Sequence, residues 1–187
     1  MGDIPFPRPC VSIIIPNWNG LRWLRPCLDS LRRQTYRDFE ILVVDNASTD
    51  GSVAALACEY PEVRMLKMER NVGYAGGCNA GFRIARGEIF VVLNNDTEAD
   101  PGWLAALVEA LDRHPEVGAV ASRVMIYDQP HLLNAAGDLY RRDGTADSRG
   151  VWQLFGPPYD RETYVFGASG AAAAYRRQML EEIHTRE

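Results

Sequence analysis

One pattern recurs along the N-terminal two thirds of the chain and limits what it can fold into. Short unbroken runs of β-branched and other apolar residues end on proline, asparagine or aspartate, and each is followed by a stretch with helical spacing. The runs are Val11 to Ile15, stopped by Pro16; Phe39 to Asp45; and Glu88 to Leu93, closed by Asn94-Asn95-Asp96. A strand with no polar side is one buried on both faces, which is how parallel sheets read. Between the runs, Leu24, Cys27, Leu28 and Leu31 form one helical stripe, and Trp103, Leu104, Leu107, Val108 and Leu111 form another. Pro26 is expected to mark the first turns of the earlier helix or a kink. A helix from Val53 to Tyr60 and a short strand from Val63 to Met68 complete the second unit. Gly73 to Gly77 reads as a glycine-rich turn leading into a small-residue helix, with Gly87 at its C′ position. Asp100 and Pro101 read as the cap and first residue of the next helix. Alternation of this kind implies an α/β fold with a mostly parallel, doubly wound sheet and helices on both faces.

The pattern fades after Tyr127. Residues 128–161 are rich in Gly, Pro, Asp and Arg, which predicts a loop or a small antiparallel excursion. Beyond it we expect a short strand from Thr163 to Phe166, the small-residue run Gly167-Ala-Ser-Gly170, and a helix through Ile183. At 187 residues the chain fits one domain, divided near residue 127 into an N-terminal α/β core, 1–127, and a remainder, 128–187, where the pattern is lost. Twenty basic against 25 acidic residues leave a net charge of −5, which supplies no field for a nucleic-acid backbone, so no nucleic-acid partner is expected. Cys10, Cys27, Cys58 and Cys78 form no C-x-x-C pair and read as reduced cysteines. Met1 to Pro9 carries Asp3 and three prolines, unlike a signal peptide, and no run approaches the roughly 18 apolar residues of a membrane span. A cytoplasmic location follows as an expectation.

In open α/β sheets, ligands bind beyond the carboxyl ends of the strands. Three polar sets stand there: Pro16-Asn17-Trp18-Asn19, Asp45-Asn46 and Asn94-Asn95-Asp96. Any one set alone is ordinary turn chemistry; three on one edge suit a nucleotide. Asp45 can accept from a base N–H or a ribose hydroxyl, and the asparagines both donate and accept. Asp96 offers hard oxygen ligation to Mg²⁺ or Mn²⁺, which needs one or two protein carboxylates when a diphosphate supplies the rest. A dinucleotide site is disfavoured because the first turn has one glycine, Gly20, and no G-x-x-x-x-G-K-[ST] occurs.

Val11-Ser-Ile-Ile-Ile-Pro-Asn-Trp-Asn-Gly20, Cys27-Leu-Asp-Ser-Leu31, Gln34-Thr-Tyr36, Phe39 to Ser52, Asn71 to Gly81 and Leu93-Asn-Asn-Asp-Thr97 together resemble the family 2 glycosyltransferases of GT-A fold. The likeness runs from about Cys10 to Arg177 and is strongest to the bacterial rhamnosyltransferase-like branch, which builds cell-surface polysaccharides. The resemblance implies inverting transfer from a UDP or dTDP sugar to a saccharide or lipid-linked acceptor. It casts Pro16, Asn17 and Asn19 as the first nucleotide-contacting loop, and Asp45 as the acid that reads the base, with Asn46 beside it. Asn71 and Gly76 look like the segment under the nucleotide. Asn94 and Asn95 would face ribose or phosphate, and Asp96 would hold the Mg²⁺ or Mn²⁺ ion in the place of the family's D-x-D motif. His184-Thr-Arg-Glu187 departs from the family's pattern, so the catalytic base is expected beyond Glu187, the chain being read as C-terminally truncated. The full-length protein is expected to associate with membranes. A complete but non-catalytic sugar-nucleotide-binding module is the alternative. If the region after Gly167 lacks a continuation, Ala171 to Ala174 and Leu180 are expected to be exposed and to offer a homodimer contact.

Overall fold

In the computed structural model, which describes residues 10–183, the doubly buried runs become the centre of a six-stranded sheet. The elements in chain order are β1 (Val11–Asn17), α1 (Leu21–Arg32), β2 (Phe39–Asp45), α2 (Ser52–Glu59), β3 (Arg64–Lys67), α3 (Gly73–Ile84), β4 (Ile89–Leu93) and α4 (Trp103–Arg113). They continue as β5 (Ala119–Ala121), β6 (Arg123–Ile126), β7 (Gln129–Ala136), β8 (Asp138–Tyr140), β9 (Ala146–Ser148), β10 (Ala172–Arg176) and α5 (Arg177–Ile183). The strand order is β3-β2-β1-β4-β10-β5. β1 pairs in parallel with β2 and β4, and β2 with β3, whereas β10 runs antiparallel to both β4 and β5.

Every residue of β1 is buried, and its alternation divides the core. Ile13 and Ile15 join Leu24, Leu28, Leu31, Leu104, Leu107 and Leu111 under α1 and α4. Ile14 faces the other way, into a cluster with Leu42, Val44, Ala80 and Phe90 under α3, which Leu180 of α5 also packs against. Helices therefore cover both faces, as the apolar runs require. Pro26 lies inside α1 without ending it. The excursion after β5 is antiparallel: β6 pairs with β7 and β8 with β9. Among the described residues no helix is long and apolar enough to cross a membrane.

Three local expectations are overturned. Gly73 to Gly77 is the start of α3 itself, the Asn71 side-chain oxygen accepting from the Gly73 N–H at 2.8 Å. Gly87 is no C′ residue: a Cβ there would stand 2.7 Å from Ser12 N and 2.8 Å from Val11 C, so glycine is required by the approach of two backbones. Asp100 and Pro101 form a turn closed by the Trp103 N–H on the Asp100 carbonyl, and the helix starts at Trp103, two residues beyond the expected position.

The largest correction concerns the C-terminal region. Thr163 to Phe166 forms no strand, and the alanine run is not exposed but is β10, inserted between β4 and β5. Ala172, Ala173 and Ala174 are at most 3% exposed, and Leu180 is packed, which removes the expected dimer patch. Alanine's high helix propensity points away from a strand, but pairing on both sides satisfies the backbone of this segment and decides the outcome. Arg176 and Arg177 lock its end by donating to carbonyls of Leu111 and Val117 and of Ala85 and Gly87. The segment His184 to Glu187, on which the departure from the family pattern was read, lies outside the described residues.

Candidate functional site

Parallel register sets Asn17 directly against Asp45 at the carboxyl edge of the sheet. From there Asn17 ties three strand ends together. Its Nδ2 donates to Asp45 Oδ1 at 3.3 Å and to Ser48 Oγ at 3.2 Å, its Oδ1 accepts from Asn95 Nδ2 at 2.7 Å, and its carbonyl accepts from the Asn46 N–H at 2.8 Å. Asn17 and Asp45 are 1% and 2% exposed, so they form the floor of the site rather than its rim. Asp45 Oδ2 accepts from the Ser48 N–H at 3.1 Å. Beside them Asn46 Nδ2 reaches the Gly73 carbonyl at 3.3 Å, whereas its Oδ1 is buried without any hydrogen-bond partner. Such an atom costs roughly 1–3 kcal/mol until a donor arrives.

The rim is more open than the floor. Trp18 and Asn19 follow β1; Asn19 adopts φ 50°, its N–H donating to Ser48 Oγ and its Oδ1 accepting from Thr49 N–H. Ala47 sits in the same left-handed region at φ 61°, which is strained for a residue with a Cβ. Asp50 braces this loop by accepting from the first N–H groups of both α1 and α2. Burial raises its pKa, but the hydrogen bonds from Ser52 and Leu21 more than offset that and hold it below the usual carboxylate range. Asn94 and Asn95 are half-buried, Asp96 is exposed, and Pro16 is buried beneath Gly77.

The structure thus brings Asn17, Asp45, Asn46 and Asn95 into one connected network, with Asn19 joined through Ser48. Asn71 stays outside it, serving the start of α3, and half-buried Gly76 lies in that helix's first turn. Near Asp96, the buried Cys27 thiol donates to the Asn94 carbonyl. Burial first, then the Asp96 charge, pushes that thiol up to about 12. Among the described residues no three His, Cys, Asp or Glu side chains gather into a metal cage; Asp96 alone suits a cation that shares its ligands with a diphosphate. A separate cleft of about 910 Å³ runs along the free edge of β5 and is walled by residues 159–168.

Three residues at this edge were not singled out by sequence. Ser48 belongs to a polar turn that could be read as a cap, and Gly20 to a turn read only for phosphate binding. Tyr74 carries no local signal, because its partner, Gly170, is distant in the chain.

Geometry alone fits several nucleotide chemistries; sequence similarity places the chain in a family. The profile described as Glycosyl transferase family 2 matches residues 12–184. The chain belongs to this family. Relatives include the O-antigen biosynthesis protein RfbC of Myxococcus xanthus, 40% identical over 121 residues, covering 63% of this chain and 9% of that protein. An uncharacterized glycosyltransferase of Haemophilus influenzae is 26% identical over 180 residues, 92% of this chain and 54% of its own length. Among solved structures, the mannosyltransferase PcManGT from Pyrobaculum calidifontis, in complex with GDP-Man and Mn²⁺, superposes with a TM-score of 0.67 at 25% identity. That match covers 98% of this chain and 49% of PcManGT. S. aureus TarS 1-349 in complex with UDP-GlcNAc shares the fold at TM-score 0.68 and 19% identity, over 92% of this chain and 46% of its own. The fold of this family member is GT-A, as the resemblance implied. The chain spans 9% of the length of RfbC and 54% of that of the Haemophilus influenzae protein.

Proposed function

We propose that this domain binds a nucleoside-diphosphate sugar, of UDP or dTDP type, across the carboxyl ends of β2, β1 and β4. Its sugar is transferred with inversion to a saccharide or lipid-linked acceptor in cell-surface polysaccharide synthesis. The observation that carries the reading is the unpartnered Asn46 Oδ1, a buried acceptor beside the Asn17–Asp45–Asn95 network. A base N–H or a ribose hydroxyl supplies the donor it lacks. The GDP-Man and Mn²⁺ in PcManGT, a 25% identical relative, support a sugar-nucleotide donor.

In this reading Asp45 and Asn17 hold the floor rigid so that the rim asparagines meet the ligand without reorganising. Asn94 and Asn95 face ribose or phosphate. Asp96 would hold Mg²⁺ or Mn²⁺, which when bound neutralises charge developing on the departing diphosphate. Inverting displacement also needs a base for the acceptor proton; none of the residues placed at this edge is given that role. Calorimetric titration with UDP and dTDP tests the reading. We expect saturable binding that requires Mn²⁺ or Mg²⁺ in the wild type and is lost or strongly weakened in Asp96→Asn, with cation present. Absence of binding to either nucleotide with either cation would refute it.

A further inference from the structure

The segment Gly167–Ala171 enters the sheet beside β4, where Ala172 pairs with Leu93. Three different elements hold it. The Tyr74 hydroxyl, from the first turn of α3, donates to the Gly170 carbonyl; the Tyr175 hydroxyl, from β10, donates to the Ala168 carbonyl at 3.2 Å; and the Asn94 N–H donates to the Ala171 carbonyl at 2.9 Å. The Tyr74 ring also lies along Gly170, where a Cβ would come within 3.3 Å of Cε1.

The order of residues along the edge says what this segment borders. Asp45 and Asn46 end β2, Asn17 ends β1, Asn94 to Asp96 follow β4, and Gly170 precedes β10. Neighbouring strands lie about 4.8 Å apart, so β2 to β4 spans roughly 10 Å. A ligand whose nucleoside lies over β2 and β1, with its diphosphate at Asp96, carries its next group to β10. That group is the sugar.

Resting on the function proposed above, we propose that Tyr74 is a positioning residue for the sugar of the donor. By fixing Gly170 it sets the wall against which the sugar lies, and it has no part in holding the nucleoside. Tyr74→Phe keeps the ring and removes the clamp. Calorimetry with cation compares each diphosphate with its conjugate: UDP with UDP-N-acetylglucosamine, dTDP with dTDP-rhamnose, and GDP with GDP-mannose. We expect affinity for the free diphosphate to stay within about twofold of wild type and affinity for the conjugate to fall about fivefold or more, the worth of one hydrogen bond. Tyr60→Phe, which removes a hydroxyl bonded to Asp29 far from this edge, is expected to change neither. Equal losses for diphosphate and conjugate would show a merely structural role and overturn the proposal, as would no loss for either. A wild-type protein that binds neither UDP nor dTDP overturns the proposed function, and one that binds none of the six ligands overturns this inference as well.

Discussion

Gly20→Ala and Gly87→Ala add the same methyl group at opposite ends of β1, and the neighbours of each methyl dictate different outcomes. At Gly87 the new carbon would lie 2.7 Å from Ser12 N, 2.8 Å from Val11 C and 2.9 Å from Cys10 O, backbone atoms of β1 and of the residue that leads into it. The adjoining chain is itself fixed there, since the N–H groups of Glu88 and Ile89 both donate to the Cys10 carbonyl. Nothing can move without disturbing the sheet, so the cost belongs at the upper end of overpacking, about 3 kcal/mol. At roughly 2–4 °C per kcal/mol for a domain of this size, Tm falls by about 6–12 °C. At Gly20 the nearest atoms are Asn95 Nδ2 at 2.1 Å and Asn17 Oδ1 at 2.7 Å. These are side-chain ends: Asn95 can swing away, and the Asn17 amide must then shift by a few tenths of an ångström. The cost is then one buried acceptor left without its donor, about 1–2 kcal/mol, with a few tenths more for alanine as an N-cap. The loss that matters falls on the site, because Asn95 no longer holds its orientation; nucleotide affinity should drop about tenfold, the equivalent of roughly 1.4 kcal/mol. Urea and thermal unfolding followed by circular dichroism, with calorimetric titration of the same samples, measure both quantities. Gly87→Ala no less stable than Gly20→Ala would refute the argument from close approach. Gly20→Ala with wild-type affinity would refute the role given to Asn95.

Further outcomes follow from other parts of the molecule. Burial raises the pKa of Glu40, but hydrogen bonds from Ser12, Arg64 and the Arg86 N–H outweigh it and the net shift is downward. Its contribution to stability is therefore complete above the ordinary value of 4.5 and is lost as pH falls below that. Glu40→Gln should flatten the acid limb of a urea-midpoint-against-pH curve, and an unchanged limb would argue against the assignment. Ala47→Gly removes a Cβ from the left-handed region and should stabilise by about 1 kcal/mol, read from the urea midpoint; destabilisation would show that no strain is stored there. Iodoacetamide at mildly alkaline pH should modify exposed Cys58 well before Cys27 and Cys78, whose thiols burial pushes up to about 12 and about 11. Peptide mapping by mass spectrometry gives the order, and early labelling of Cys27 would contradict its burial.

β1, β2 and β4 were legible because a strand buried on both faces has no polar side to confuse its reading. The polar residues at their ends were legible for the same reason: once the strands are placed, the edge follows, and with it Asn17, Asp45, Asn46 and Asn95. β10 was hidden, since Ala172 to Ala174 carry no period and alanine favours helix, and only pairing with β4 and β5 makes them a strand. The depth of Asp45 and Asn17 was hidden too, because burial depends on the loops that close over them. Ser48 and Tyr74 matter through what they touch across the fold, and spacing along the chain carries no trace of that.

The late arrival of β10 also sets an order of assembly. β5 ends at Ala121 and meets the sheet only through β10, which begins at Ala172. A ribosome making about 5–20 residues per second needs roughly 3–10 s to supply the intervening segment. During that interval β1 to β4 can pair as they emerge, but β4 has an open edge and β5 has no neighbour. An unpaired, wholly apolar edge is a template for other chains. Synthesis of this domain therefore passes through a defined window of aggregation risk, which closes when a small alanine-rich strand slides into the gap.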